Sequence, residues 1–151
     1  MSTTTIGTVL DALVAALAAR PALQEVAVYS ASVGPDRPAE CIELAAGPVT
    51  WEEHGMGMGE TDRWETYSIP GSVFVVRPEN DEEAIAAARD RALEIVADVE
   101  DYLNDNWTLG GVCKDAALET GELRQGLYAG DINGRWCEVT FALTVQAEKI
   151  P

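Results

Sequence analysis

The sequence predicts an α+β domain: one antiparallel or mixed sheet with two helices packed on one face, in the order α-β-β-β-β-α-β-β. Three observations carry this. Two segments, 5–20 and 80–104, repeat apolar residues at three- and four-residue steps. The segments between and after them alternate apolar and polar residues with the period of a strand. The chain has 151 residues, one domain's worth, and a domain of that size buries roughly 68–70% of its unfolded surface without needing staples. The whole of 1–151 is therefore read as a single domain, with no internal repeat and no low-complexity stretch.

The first helix is expected from Thr5 to Arg20. Ile6, Val9, Leu10, Leu13, Val14 and Leu17 make one apolar stripe, Thr5 is a candidate N-cap, and Pro21 ends the helix because the residue before a proline is pushed out of helical space. Glu25–Ala31 alternates Val26 and Val28 against Ala27 and Tyr29. Residues 32–40 read as a turn-rich connection. Cys41–Ala46 sets Ile42 and Leu44 opposite Glu43, and Val49–Glu53 resumes an extended pattern with Trp51. Arg63–Ile69 carries Trp64 against Tyr67 as a half-exposed strand, Pro70-Gly71 reads as a turn, and Ser72–Val76 reads as a strand buried on both faces. Between strands, residues 52–62 hold Gly55, Met56, Gly57, Met58 and Gly59, and are expected to be a mobile loop, a candidate hairpin tip.

The second helix has the strongest local signals. Asn80 to Glu83 has the form of a capping box, Asp81, Glu82 and Glu83 suit the positive end of the helix dipole, and a stripe runs from Ile85 through Leu103. Gly110–Ala117 is expected to be extended and Leu123–Ala129 a strand. Asn133-Gly134 signals a hairpin turn. In Trp136–Ala147, Cys137, Val139, Phe141, Leu143, Val145 and Ala147 face one way, with Trp136, Glu138, Thr140, Ala142, Thr144 and Gln146 opposite.

Composition narrows the function classes. There are 26 acidic and 10 basic residues, a formal net charge of −16, with 47% hydrophobic residues. That apolar fraction belongs to a folded protein, and the charge opposes both tracking of nucleic-acid phosphates and polybasic membrane anchoring. Three widely spaced cysteines, Cys41, Cys113 and Cys137, form no disulfide framework and suit a reducing compartment. The amino-terminal stretch reads neither as a signal peptide nor as a membrane span, so no membrane partner is expected.

No chemical motif stands out. His54, the single histidine, lies among Glu52, Glu53, Glu60 and Asp62, which are ligand types for a metal, but they lack the spacing of a built site and read as a solvated acidic loop. There is no nucleophile elbow and no phosphate-binding glycine loop, so no catalytic residue, cofactor or metal is expected. Met56 and Met58 suit an adaptable protein contact. The four tryptophans are read first as core, yet Trp64 and Trp136 share strand faces with charged or polar neighbours, as interface residues do. Residues 79–105 hold ten acidic and two basic residues, a balance of −8 that is half the net charge. Their bland reading is a solvated helix face; the functional one is an electrostatic surface.

The order of elements, with a polar-to-apolar leader into the first helix and the passage Asp105-Asn106-Trp107-Thr108-Leu109-Gly110-Gly111-Val112 after the long helix, resembles the tail terminator (tail-completion, minor tail) proteins of long-tailed bacteriophages. The Gly/Met loop does not match that family's pattern. The resemblance implies a structural virion protein and not an enzyme. It would form a ring, expected to be hexameric, that caps the tail tube, ends tube polymerisation and offers a surface for head–tail joining. Partners would be copies of itself, the tail tube protein and head–tail connector or adaptor proteins. Its place would be the head-proximal end of the tail, after assembly in the host cytoplasm. Genome DNA would pass through the ring unbound, with Asp90, Glu94, Asp98 and Asp101 as candidate lumen-facing acids. Met56, Met58, Trp64, Trp107, Leu109 and Trp136 are the interface candidates, and glycine at 110 and 111 suits a turn from helix to strand. The alternatives are a head–tail adaptor or neck protein, an unrelated small α+β protein-binding domain, or a minor enzyme using His54.

Overall fold

The computed structural model describes residues 4–31, 34, 37–54, 62–79, 81–128 and 134–149. The elements are α1 (Ile6–Ala18), β1 (Ala27–Tyr29), β2 (Glu40–Leu44), β3 (Val49–His54), β4 (Asp62–Arg77), α2 (Glu82–Asp105), β5 (Asp115–Tyr128) and β6 (Gly134–Lys149), with 3-10 turns at Pro21–Leu23 and Leu109–Gly111. The strands form one sheet in the order β1-β2-β4-β6-β5, and β3 also pairs with β4. Because β6 runs along β4 from Arg63 to Arg77, β2 (at residues 71–75) and β3 (at 62–67) share the other flank of β4. β1 is parallel to β2 and all other pairs are antiparallel, so the sheet is mixed and the domain is α+β, as expected.

Both helices bury their stripes against one face of the sheet. The inward residues of β6 are Cys137, Val139, Phe141, Leu143, Val145 and Ala147, all buried and all as their alternation predicts. They pair with Val75, Val73, Gly71, Ile69, Tyr67 and Glu65 of β4. α1 contributes Val9, Leu10, Leu13 and Leu17 to this core; α2 contributes Ala84, Ala88, Ala92, Ile95, Val99 and Leu103. The buried residues of α2 are alanines in its first half and larger aliphatics in its second.

Several local expectations differ from the structure. Pro70-Gly71 is no turn: β4 runs through it as one 16-residue strand. The N–H and C=O of a strand residue point to the same side, and the Pro70 carbonyl accepts from Ala45 N at 2.9 Å on the flank between β2 and β3. The proline's missing donor therefore falls in the gap between two strands and costs no ladder bond to β6. Gly71 is required for packing, since a Cβ there would sit 2.5 Å from the Phe141 ring. The cap of α2 is Asp81, whose carboxylate accepts from Ala84 N at 2.8 Å, one residue after the expected site; Asn80 lies outside the described residues. Thr5 occupies the N-cap position of α1 but makes no capping bond, because Glu65 takes its hydroxyl. The passage at 109–114 is a 3-10 turn and bend, and β5 begins only at Asp115, then runs past the expected Leu123 start with an irregularity at Leu118/Thr120. Residues 52–54 and 62 belong to strands: His54 pairs with Asp62. The rest of the Gly/Met stretch, and Asn133 of the expected turn, lie outside the described residues.

Candidate functional site

The face of the sheet opposite the helices carries none of the described helices. Strand alternation puts Trp64, Thr66, Ser68, Pro70, Ser72, Phe74 and Val76 of β4 there, beside Gln146, Thr144, Ala142, Thr140, Glu138 and Trp136 of β6. Between the rows of Trp64 and Phe74, every residue these two strands offer is uncharged: Thr66, Ser68, Pro70 and Ser72 against Thr140, Ala142, Thr144 and Gln146. In a chain with 36 charged residues this is a distinct zone.

An aromatic side chain stands at each end of the zone. Trp64 lies under the Lys114 ammonium, 4.2 Å from the ring centroid. At the other end, Phe74 and Trp136 stack with centroids 6.2 Å apart, and Trp136 covers Gly126 of β5, where a Cβ would approach the indole to 2.6 Å. The Arg37 guanidinium sits 4.9 Å from the Phe74 centroid. Its Nη1 donates to Glu138 at 2.8 Å, and its Nε lies 2.7 Å from Glu43 Oε1, close enough for an ion pair though off the line of a hydrogen bond. This strap explains why Phe74 and Glu43 are buried on a face without helices. Cys41, beneath it, has its thiol pushed up to about 11, first by burial and then by the Glu43 carboxylate.

The acidity sits on the other layer, along α2. Asp90 and Glu94 are exposed and pair with neighbouring arginines, Arg89 and Arg91. Asp98 is committed within the fold: Arg20, at the end of α1, donates to its two oxygens at 2.6 and 2.9 Å. Asp101 is exposed, and its charge, with that of Asp105, adds to the field that raises the Arg20 pKa, where the Asp98 hydrogen bond is the leading cause. Glu94, Asp98 and Asp101 line one cleft of about 210 Å³ with Arg91, Ala22 and Leu23; Asp90 is not among its lining residues. The last turn of α2 contains no basic residue.

The corner after α2 separates two of the expected interface residues. Trp107 is 63% exposed, whereas Leu109 is buried in the core. Leu109, Gly110 and Gly111 all take positive φ, of 51°, 74° and 94°, so the glycines serve the turn as expected and Leu109 adopts a conformation rare for its type. Leu109 thus anchors the corner from inside and offers no surface. Trp51, read first as core, is 49% exposed. Met56, Met58 and the His54 side chain lie outside the described residues. Among the described residues, no group of three or more metal-ligating side chains gathers, and no helix is long and apolar enough to cross a membrane.

One site has no signal in the sequence. Glu65 is fully buried on the helix-facing side of β4. Thr5 donates to Oε2 from its backbone N at 2.8 Å and from its hydroxyl at 2.6 Å, and the Trp51 indole donates to Oε1 at 2.9 Å. The Tyr67 hydroxyl is 3.2 Å from the Thr5 hydroxyl. Burial pushes the carboxyl up, but bonds from Thr5, Trp51 and Thr4 outweigh it and leave the pKa below the ordinary value. Strand periodicity puts residue 65 inward, but a glutamate there would be discarded as an error unless the partners arriving from residues 4, 5 and 51 were known.

No protein-family model matches this sequence, and no curated protein matches it either.

Proposed function

We propose that this chain is a structural virion protein, a ring-forming terminator of a long phage tail, and not an enzyme. The supporting observation is the separation of charge: an uncharged strip of β4 and β6 between the rows of Trp64 and Phe74 on one layer, and the acidic outer surface of α2 on the other. Copies carrying −16 each repel one another, so they associate best across surfaces that bring no carboxylates together. The strip of β4 and β6 between the Trp64 and Phe74 rows is such a surface, with Glu122 and Asp115 of β5 at its flank, and the tryptophans on this face are the residue type that anchors interfaces. A ring built this way is heterologous, each subunit's face meeting a different surface of its neighbour. The exposed acids Asp90, Glu94 and Asp101 are then free to line a channel through which DNA passes without adhering. The tube protein and the head-side connector would meet the two rims.

Light scattering on the purified chain, with and without assembled tail tubes, tests this, together with electron micrographs of tails grown in its absence. The reading expects rings, free or on tube ends, and abnormally long tubes when the protein is missing. Thr144→Glu, which puts a carboxylate in the uncharged zone without touching the core, should abolish ring formation. Normal-length tails that fail to join heads would instead identify an adaptor. A chain that stays monomeric with tubes present, and leaves their length unchanged, would refute both.

A further inference from the structure

We propose that the first turn of α1 is a releasable strap latched by Glu65: it lifts off the sheet as a unit when Glu65 loses its donors, while the remainder of α1 stays packed. This stands apart from the tail reading.

The two halves of α1 are held by different forces. From Val9 onward the helix is fixed by apolar burial, with Val9, Leu13 and Leu17 fully buried, and its far end is tied to α2 by the Arg20–Asp98 pair. The first turn has little of this. Ile6 is half-buried, Gly7 and Thr8 are exposed, and Gly7 has nothing within 4 Å of the place a Cβ would take. A glycine in the first turn also lowers the local preference for helix by about 1 kcal/mol relative to alanine. Apart from Ile6, which packs at the edge of the core, what holds residues 4–8 is the set of bonds converging on one carboxylate, and a buried charge without those donors is costly enough to reorganise its surroundings.

The latch draws donors from two places. Thr5 supplies two bonds from the strap, and Trp51 supplies one from β3. Trp51 is half exposed, so a partner that engages the indole from outside can withdraw a donor from a carboxylate that no solvent reaches. That couples a surface contact on β3 to the start of the chain. Among the described residues no lysine or arginine pairs with Glu65; the titratable group facing it is Tyr67, pushed up to about 12 chiefly by burial, with Cys113 acting on Tyr67 in turn. The pH sign follows from the lowered carboxyl pKa. The latch is complete above the ordinary glutamate value of about 4.3 and is lost as pH falls through the lower folded value, so it stays shut at neutral pH.

Amide hydrogen exchange on the full chain tests the strap. The reporters are the bonded amides of its first turn: Thr5 to Glu65, Ile6 to the Thr4 hydroxyl and Val9 to the Thr5 carbonyl. Glu65→Gln should speed exchange at these sites roughly tenfold or more, leave Leu13–Ala18 unchanged, and shift Trp51 emission to the red. Trp51→Phe and Thr5→Ala each remove one donor and should give the same local pattern at smaller size, which keeps the test open if Glu65→Gln does not fold. Wild type should show the same first-turn opening as pH falls through the lowered folded value of Glu65, beneath the ordinary glutamate value of about 4.3, and Glu65→Gln should lose that acid dependence. Unchanged first-turn exchange in all three variants, or equal acceleration of both halves of α1, would overturn the proposal.

Discussion

Gly71→Ala probes whether β4 runs through Pro70-Gly71 against a filled core. The added Cβ would lie 2.5 and 2.6 Å from Cε2 and Cζ of Phe141 and 3.0 Å from a Leu44 methyl. Carbon atoms rest at about 3.5–4.0 Å, so the ring must retreat by roughly 1 Å. Phe141 is 4% exposed and sits between Val139 and Leu143 on the same inward face, so its ring can retreat only by displacing these neighbours or by shifting toward the cleft beside Gly121. Overpacking of this kind costs about 1–3 kcal/mol. For a domain of this length each kcal/mol lowers Tm by roughly 2–4 °C, so calorimetry should find a drop of about 2–12 °C. Phe141→Leu removes the obstructing ring edge, and the double variant should be less destabilised than the sum of the singles by about 0.5 kcal/mol or more. Gly126→Ala is the control: its Cβ meets the Trp136 indole as closely, but on the open face, where the ring can swing outward at smaller cost. A Gly71→Ala variant as stable as wild type, or strict additivity with Phe141→Leu, would mean that the ring does not lie over Gly71 and would refute the account of this strand.

Two further outcomes follow from the site geometry. Asp98→Asn should lower stability by about 0.5–1.5 kcal/mol in urea titrations, because both carboxylate oxygens accept from a partly shielded Arg20, and the difference should shrink in high salt. Cys41 and Cys113, with thiols pushed up to about 11 chiefly by burial, should resist a thiol-specific reagent at pH 8 in the native protein and react promptly in denaturant. The same shift makes stability decline as pH rises past about 8.5, where the unfolded chain loses thiol protons that the folded one keeps.

The parts of the fold that were legible beforehand are those with a regular period. The alternation in β6 named every inward residue from Cys137 to Ala147, and the stripe of α2 located its buried face. The order of elements, and hence the α+β class, followed from the grouping of these patterns. The candidate interface was legible in part. Trp64 and Trp136 stand out in the sequence for their polar neighbours, and both lie on the open face, Trp64 at one end of the uncharged zone and Trp136 stacked on the Phe74 that ends it on the other side. Leu109 was chosen from a loop motif and is core, because a local motif does not say on which side of the chain the core will form.

What the sequence determined by itself is whatever depends on neighbours a few residues away: helix stripes, strand faces, the acidic run along α2 and the absence of a recognisable catalytic motif. What only the tertiary structure decided depends on groups far apart in the chain. Pro70 can lie within a strand because Ala45 passes its vacant flank. Glu65 can be buried as an acid because Thr5, 60 residues earlier, and Trp51, 14 residues earlier, point donors at it. Asp98 leaves the set of free acids because Arg20, 78 residues away, reaches it. In each case the local pattern argues for the opposite outcome, and a hydrogen bond or ion pair from a distant segment reverses the sign of the free energy.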